Sequence, residues 1–241
     1  IFYTAISEYP FTPQGIKVAV ALTKDFKNID AKHLVTPFNA KAMALFPEKI
    51  NGKYVVTLSV HTDMPPSGIA FAEFDRIEDI WSPEYWEKWH ANWADHTIDP
   101  KRHPHDHVEV GAPPVLTDEG WLFIYSHIQE YGYHNQTFGI EALLLDRNDP
   151  RKILARTVGP VLVPESLYEL HGNVQNIAFP SGAMIIEDEL DIYYGAADTT
   201  CARASVKLDG LLASMIPERP AKRVERFDDN PIITPNPEHA W

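Results

Sequence analysis

The 241 residues include one cysteine, Cys201, which excludes an intrachain disulfide and a cysteine-built metal site. A lone thiol fits the cytoplasm better than an oxidising compartment. No apolar run approaches the roughly 18 to 20 residues that a membrane span needs. Positive charge is scarce. Against 34 Asp and Glu stand 21 Lys and Arg, and the net charge of −13 argues against a nucleic-acid partner. Helical pattern is also sparse; residues 83–93 are the best candidate, opening with Pro83 and carrying Trp86 and Trp89. The 20 prolines are spread along the chain, so no linker stands out by composition. What is present is globular: 44% apolar and 23% charged residues, with 10 Tyr and 11 Phe beside Val and Ile, a mixture that suits strands. The 11 histidines would recharge part of the surface in mild acid.

A repeat organises these strands. It consists of a strand, a tight turn, a second strand ending in a polar residue, a loop, a third strand and an Asp-containing turn. The clearest copy has strands at 42–50, 53–60 and 68–74, with Asn51-Gly52 as its tight turn and Asp75 opening the next. Asn-Gly favours a hairpin because both residues tolerate positive φ. A second copy runs 108–116, turns at 118–120, and continues through 121–127 and 138–145 to Asp146. A third has 175–186, a turn at Glu187-Asp188, then 190–198 and 202–208 before Asp209. The opening residues, 1–7 and 16–22 followed by Asp25, fit a copy without its first strand. Because the chain opens at Ile1 within a strand, it is expected to be a piece of a longer protein. Copies of about 40 to 65 residues fit the blades of an all-β propeller. A β-sandwich with chance similarity between hairpins is the alternative.

In a propeller the first strand of each blade lines the central channel. The start of that strand lies beside the end of the second, so both positions point to one mouth. Second-strand ends carry His61-Thr62-Asp63, His127 and Asp198; first-strand starts carry Glu109 and residues 173–176. Polar groups on a rigid frame suit a hydroxyl-rich ligand. Each has a plainer role too: Asp198 as a turn cap, His127 as a core histidine. The run His103-Pro104-His105-Asp106-His107 has the alternation of a metal-binding strand but no second ligand cluster, so no metal and no cofactor is expected.

These residues resemble glycoside hydrolase family 130, the β-mannoside phosphorylases and mannosidases. The similar stretches are Leu45-Phe46-Pro47-Glu48-Lys49-Ile50-Asn51-Gly52-Lys53-Tyr54, and Gly111-Ala112-Pro113-Pro114 through Gly120-Trp121-Leu122. Ala142-Leu143-Leu144-Leu145-Asp146, Phe179-Pro180-Ser181-Gly182 and Tyr193-Tyr194-Gly195-Ala196-Ala197-Asp198-Thr199 complete them. The resemblance implies a five-bladed β-propeller, of which 1–216 supply about four blades. Residues 217–241 would then be a linker and the opening segment of a following or permuted unit, because Arg226-Phe227-Asp228-Asp229-Asn230-Pro231-Ile232-Ile233 resembles the family's own start. It also implies a catalytic Asp in a Glu-Asp-Pro-Arg motif, which would lie upstream of Ile1.

Whether phosphate or water accepts the sugar turns on basic residues, since phosphate needs cationic donors. The resemblance predicts an Arg in the second strand's closing motif, where Thr62 stands; a Lys where Leu116 stands; and an Arg near Gln136-Thr137-Phe138. Three losses in one direction favour water. The expected activity is inverting hydrolysis of β-mannosidic linkages in manno-oligosaccharides, with a phosphorylase using inorganic phosphate, or a non-catalytic sugar-binding propeller, as alternatives. Glu109 is the expected base, with Glu165 and Glu169 behind it; Asp198, His127, His61, Tyr168 and Asn176 are the expected substrate contacts. Members of this family often form homo-oligomers, so a second copy is among the expected partners.

Overall fold

A computed structural model describes residues 1–215 and 225–233. The chain forms two compact units: Ile1–Pro100 with Val108–Val110, and Lys101–His107 with the residues from Gly111 onward. Among the described residues, no helix is long and apolar enough to cross a membrane.

The first unit holds two antiparallel sheets. One joins β1 (Phe2–Ile6), β2 (Ile16–Leu22) and β3 (Ala31–Leu34) in that order. The other joins β4 (Ala40–Leu45), β5 (Tyr54–Val60), β6 (Gly68–Phe74) and β7 (Thr97–Ile98). Asn51 and Gly52 both take positive φ, 51° and 81°, as the tight turn before β5 requires. A bulge in β4 between Lys41 and Ala44 carries Ala42 at φ 53°. Helix α1 (Pro83–His90) lies between β6 and β7 and starts where expected: Pro83 occupies its first turn and Ser82 Oγ accepts from Tyr85 N–H. It ends at His90, three residues before the expected end, and a short 3-10 turn takes up Trp93–His96. Trp86 and Trp89 bury their rings in the core with Val56, Leu58, Ala70 and Phe74. Their indole N–H groups donate to the carbonyls of Ile80 and Phe71, at 2.7 and 3.1 Å, so burial leaves neither unpaired.

Strand β8 (His107–Val110) follows, and its last three residues belong to the first unit. Val110 N–H donates to Ser59 Oγ at 2.8 Å. The expected strand over 108–116 is interrupted at Gly111-Ala112-Pro113-Pro114; only β9 (Val115–Leu116) resumes it. The two prolines lack the N–H groups that a ladder needs.

In the second unit, β10 (Trp121–Gln129) pairs with β11 (Thr137–Leu145) over nine positions, Trp121 facing Leu145 and Gln129 facing Thr137. β9 flanks β10, and β12 (Ile153–Arg156) flanks β11. After the short helix α2 (Leu167–Leu170), a second sheet runs β13 (Ala178–Ile186), β14 (Glu189–Ala196), β15 (Thr200–Lys207) and, from the C-terminal segment, β16 (Glu225–Arg226). Leu122, Ile124, Ile140, Ala178, Ile192, Tyr194 and Ala204 form its core. Asp146 accepts the N–H groups of Asn148 and Asp149, and Asp25 those of Lys27 and Asn28, as the Asp turns of the repeat require. Asp209 departs from that pattern. It lies in helix α3 (Leu208–Ser214), whose Leu211 turns into the core. Trp121 is a core residue, 2% exposed.

Candidate functional site

In the second unit the pairing registers bring the ends of β10 and β14 to the same side as the starts of β11, β13 and β15. His127 faces Gly139, Ala178 faces Ala196, and Phe138 N–H donates to Asn176 O at 2.9 Å. Three expected contacts, Asn176, Asp198 and Tyr168, lie here. The turn after β14 holds Ala197 and Asp198 at φ 48° and 50°, and Asn176 stands at 59°. Asp and Asn tolerate this region better than other residues that carry a side chain. Residues 172–176 lie over the turn. Val174 N–H donates to Ala197 O at 3.2 Å, Asn173 N–H to Thr199 Oγ1 at 3.0 Å, and Asn173 Nδ2 to Asp198 O at 3.1 Å. Gly172 permits that approach, since a Cβ there would sit 2.4 Å from both Ala197 O and Thr199 Oγ1. Asp198 is exposed, Asn176 and Tyr168 half-buried.

Tyr168 sits on α2, which begins with a reciprocal cap between Ser166 and Glu169. Glu169, an expected alternative to Glu109 as the base, is fully buried. Arg226 Nε and Nη2 reach its carboxylate at 2.6 and 3.0 Å, and Tyr194 Oη–H donates to it at 2.7 Å. Burial opposes ionisation of Glu169, but Arg226, the N–H groups of Glu165 and Ser166, and Tyr194 together hold it below the usual carboxylate range. A carboxylate so satisfied suits framework better than proton transfer. Glu165 is exposed, 3.8 Å from Arg226 Nη1.

His127 lies in a second buried network and is 1% exposed. Its Nε2 is 3.0 Å from Asp106 Oδ2, and its Nδ1 is 3.4 Å from Glu141 Oε1. Glu141, with no exposed area, accepts from Arg102 Nε at 2.7 Å, Arg102 Nη2 at 2.8 Å and Tyr125 Oη at 2.8 Å. Burial would raise Glu141, but Arg102, His127 and Tyr125 lower it overall. These bonds fasten residues 102–106 to β10 and β11, a positioning role for His127 that its place at a strand end did not reveal. Of the run 103–107, only His107 lies in a strand; it is buried and stacked on Tyr131, while His103 and His105 are exposed. Among the described residues no group of three or more His, Cys, Asp or Glu side chains is placed to hold a metal.

In the first unit Glu109 is 1% exposed and lies 2.9 Å from Lys41 Nζ. His61, the residue after β5, takes φ 59°. Its ring lies 4.5 Å from Trp93 and 5.8 Å from His90, and His90 in turn stacks on Phe38 at 4.1 Å. Burial lowers the pKa of both histidines, and His61 and Lys17 lower His90 further. Both imidazoles are therefore neutral at pH 7, each with one donor and one acceptor. Asn39 holds this end together by donating to the carbonyls of Pro13 and Thr62. Asn39 Oδ1, Thr62 Oγ1 and His90 Nε2 are buried with no hydrogen-bond partner among the described residues. Such atoms cost free energy unless a ligand or water meets them.

A family model described as beta-1,4-mannooligosaccharide phosphorylase matches residues 11–216. A 1,2-beta-oligomannan phosphorylase of Thermoanaerobacter sp. (strain X514) is 33% identical over 196 residues, covering 80% of this chain and 59% of the relative. A beta-1,2-mannobiose phosphorylase of Listeria innocua is 33% identical over 217 residues, 87% of this chain and 54% of the relative. The solved structure of a Listeria innocua beta-1,2-mannobiose phosphorylase in complex with beta-1,2-mannobiose superposes with a TM-score of 0.69 at 30% identity, over 90% of this chain and 57% of that one. The chain thus spans little more than half the length of these relatives.

Proposed function

This chain belongs to glycoside hydrolase family 130, and from that premise we propose that the complete protein cleaves β-mannosidic linkages of manno-oligosaccharides. Family membership over 11–216 carries this reading. The four sheets are read as successive blades of a five-bladed propeller. Residues 217–241, of which 217–224 and 234–241 lie outside the described residues, are read as a linker and the opening segment of a following or permuted unit, with Glu225, Arg226 and Ile233 pairing onto β15.

Water is proposed as the acceptor, with inversion at the anomeric carbon. Support comes from the basic side chains. Lys41 faces Glu109, Arg102 and Arg156 face Glu141, Arg203 faces Asp191, and Arg226 faces Glu169. Neutral His61 and His90 offer single hydrogen bonds, which suit sugar hydroxyls or water better than a phosphate dianion. Glu109 is the proposed base. It lies 2.9 Å from Lys41 Nζ, and a carboxylate can take a proton from water. Asp198, Asn176 and Tyr168 are proposed to receive sugar hydroxyls; His61 is proposed to meet the ligand beside Trp93, and His127 to hold the frame on which it binds.

A second reading is phosphorolysis. It is favoured by the relatives, four of which are described as phosphorylases of β-mannosides at 32–34% identity. Incubating the complete protein with β-1,2- and β-1,4-mannobiose, with and without phosphate, separates the two. Free mannose formed at a phosphate-independent rate supports hydrolysis; mannose 1-phosphate refutes it in favour of phosphorolysis.

A further inference from the structure

Arg226 is carried by the C-terminal segment, far in sequence from the groups it holds. β16 pairs Arg226 with Ala204 of β15, and Asn230 grips the backbone of Arg203 on both sides, accepting its N–H at 3.0 Å and donating to its carbonyl at 2.8 Å. The Arg203 guanidinium covers the Phe227 ring at 3.3 Å. So anchored, Arg226 reaches Val163 O at 2.6 Å as well as both oxygens of Glu169.

The buried carboxylate dictates which way the neighbouring hydroxyls point. An ionised Glu169 only accepts, so the Tyr194 proton is committed to it at 2.7 Å. Tyr194 Oη can then only accept from Tyr168 Oη, 3.5 Å away at the outer limit of such a bond. Tyr168 turns its proton inward and is left with lone pairs for anything that approaches its exposed side. Without Arg226, a carboxylate in this setting would take up a proton. Protonated Glu169 could donate, and the chain of hydroxyls could reverse.

We propose that Arg226 is a positioning residue. By keeping Glu169 ionised it fixes the donor direction of the Glu169–Tyr194–Tyr168 chain, so that Tyr168 meets a sugar hydroxyl as an acceptor. This rests on the mannoside reading above. It assigns the C-terminal segment a part in ligand selection.

Two measurements on the complete protein test it. The first is the affinity for methyl β-D-mannoside and its monodeoxyfluoro analogues. Fluorine cannot donate, so the analogue lacking the hydroxyl that faces Tyr168 should bind about tenfold more weakly. Tyr168→Phe and Arg226→Met should both shrink that penalty to below about threefold, while Arg226→Lys, which keeps the charge, should preserve most of it. An unchanged penalty in Arg226→Met or in Tyr168→Phe overturns the proposal. The second needs no sugar. Infrared difference spectra between wild type and Glu169→Gln should show a lost carboxylate band at neutral pH, and the same subtraction in an Arg226→Met background a lost carboxylic-acid band. A protonated Glu169 in the wild type, or an ionised one in Arg226→Met, overturns the proposal, and the wild-type spectrum decides alone should Arg226→Met not fold. Absence of mannoside binding to the wild type refutes the mannoside reading and Tyr168's sugar role, whatever the spectra show.

Discussion

Replacing Arg102 by Met should weaken the second unit by about 3 kcal/mol. Glu141 has no exposed area, and Arg102 gives its carboxylate two bonds, at 2.7 and 2.8 Å, and a third to Thr157 O at 2.7 Å. Breaking a buried ion pair by removing one partner costs roughly 3–5 kcal/mol, because the remaining charge stays desolvated. Two groups soften the loss here. Arg156 Nη2 stands 3.5 Å from the same carboxylate, and Tyr125 still donates at 2.8 Å. The lower end of the range is therefore expected. Hydrogen exchange of the β10 and β11 amides reads this unit by itself, and about 3 kcal/mol corresponds to about a hundredfold faster exchange. A loss under about 1 kcal/mol would refute the reasoning. Acid supplies a second check. Burial would raise Glu141, yet Arg102, His127 and Tyr125 hold its folded pKa below 4.5. The pair's contribution is therefore complete above about pH 4.5 and is lost as pH falls through the lower folded value. The gap between wild type and Arg102→Met must narrow in acid; a constant gap contradicts the assignment.

Other outcomes follow from single positions. Gly52→Ala, at φ 81° with no neighbour within 4 Å, should cost about 1 kcal/mol by backbone strain alone, measured as a shift in urea midpoint with unchanged slope. Gly172→Ala should push residues 172–176 off the 197–199 turn and cost about 1–3 kcal/mol, with weaker mannoside binding; unchanged binding would separate that loop from the ligand. Asp198→Ala should reduce mannoside affinity at least about tenfold at a stability cost of about 1 kcal/mol or less, since the side chain is exposed but φ 50° suits Asp better than Ala. Equal affinity would remove Asp198 from the site.

Strands were legible where local chemistry sets them. Asn51-Gly52 and Gly120 mark tight turns before β5 and β10, and the apolar runs of β5, β6, β10 and β11 match their burial. Helix α3 was not legible, because Asp209-Gly210 resembles a turn and only burial of Leu211 and Met215 favours the helix. The long-range polar pairs were hidden in another way. Glu169 meets Arg226 across 57 positions and Glu141 meets Arg102 across 39, so neither charge announces its partner in the sequence. The same distance disguised His127: a histidine at a strand end can face ligand or carboxylates, and Asp106 and Glu141 are 21 and 14 residues away. Asn176 and Asp198, expected within strands 175–186 and 190–198, lie just outside β13 and β14 at positive φ, which Asn and Asp tolerate.

Proton NMR of β-1,2-mannobiose turnover by the complete protein, recorded before mutarotation, tests the central claim most directly. Inverting cleavage of a β-mannoside predicts that the α-anomer of the released glycosyl product appears first. The β-anomer appearing first, or a disaccharide left intact, would contradict the account.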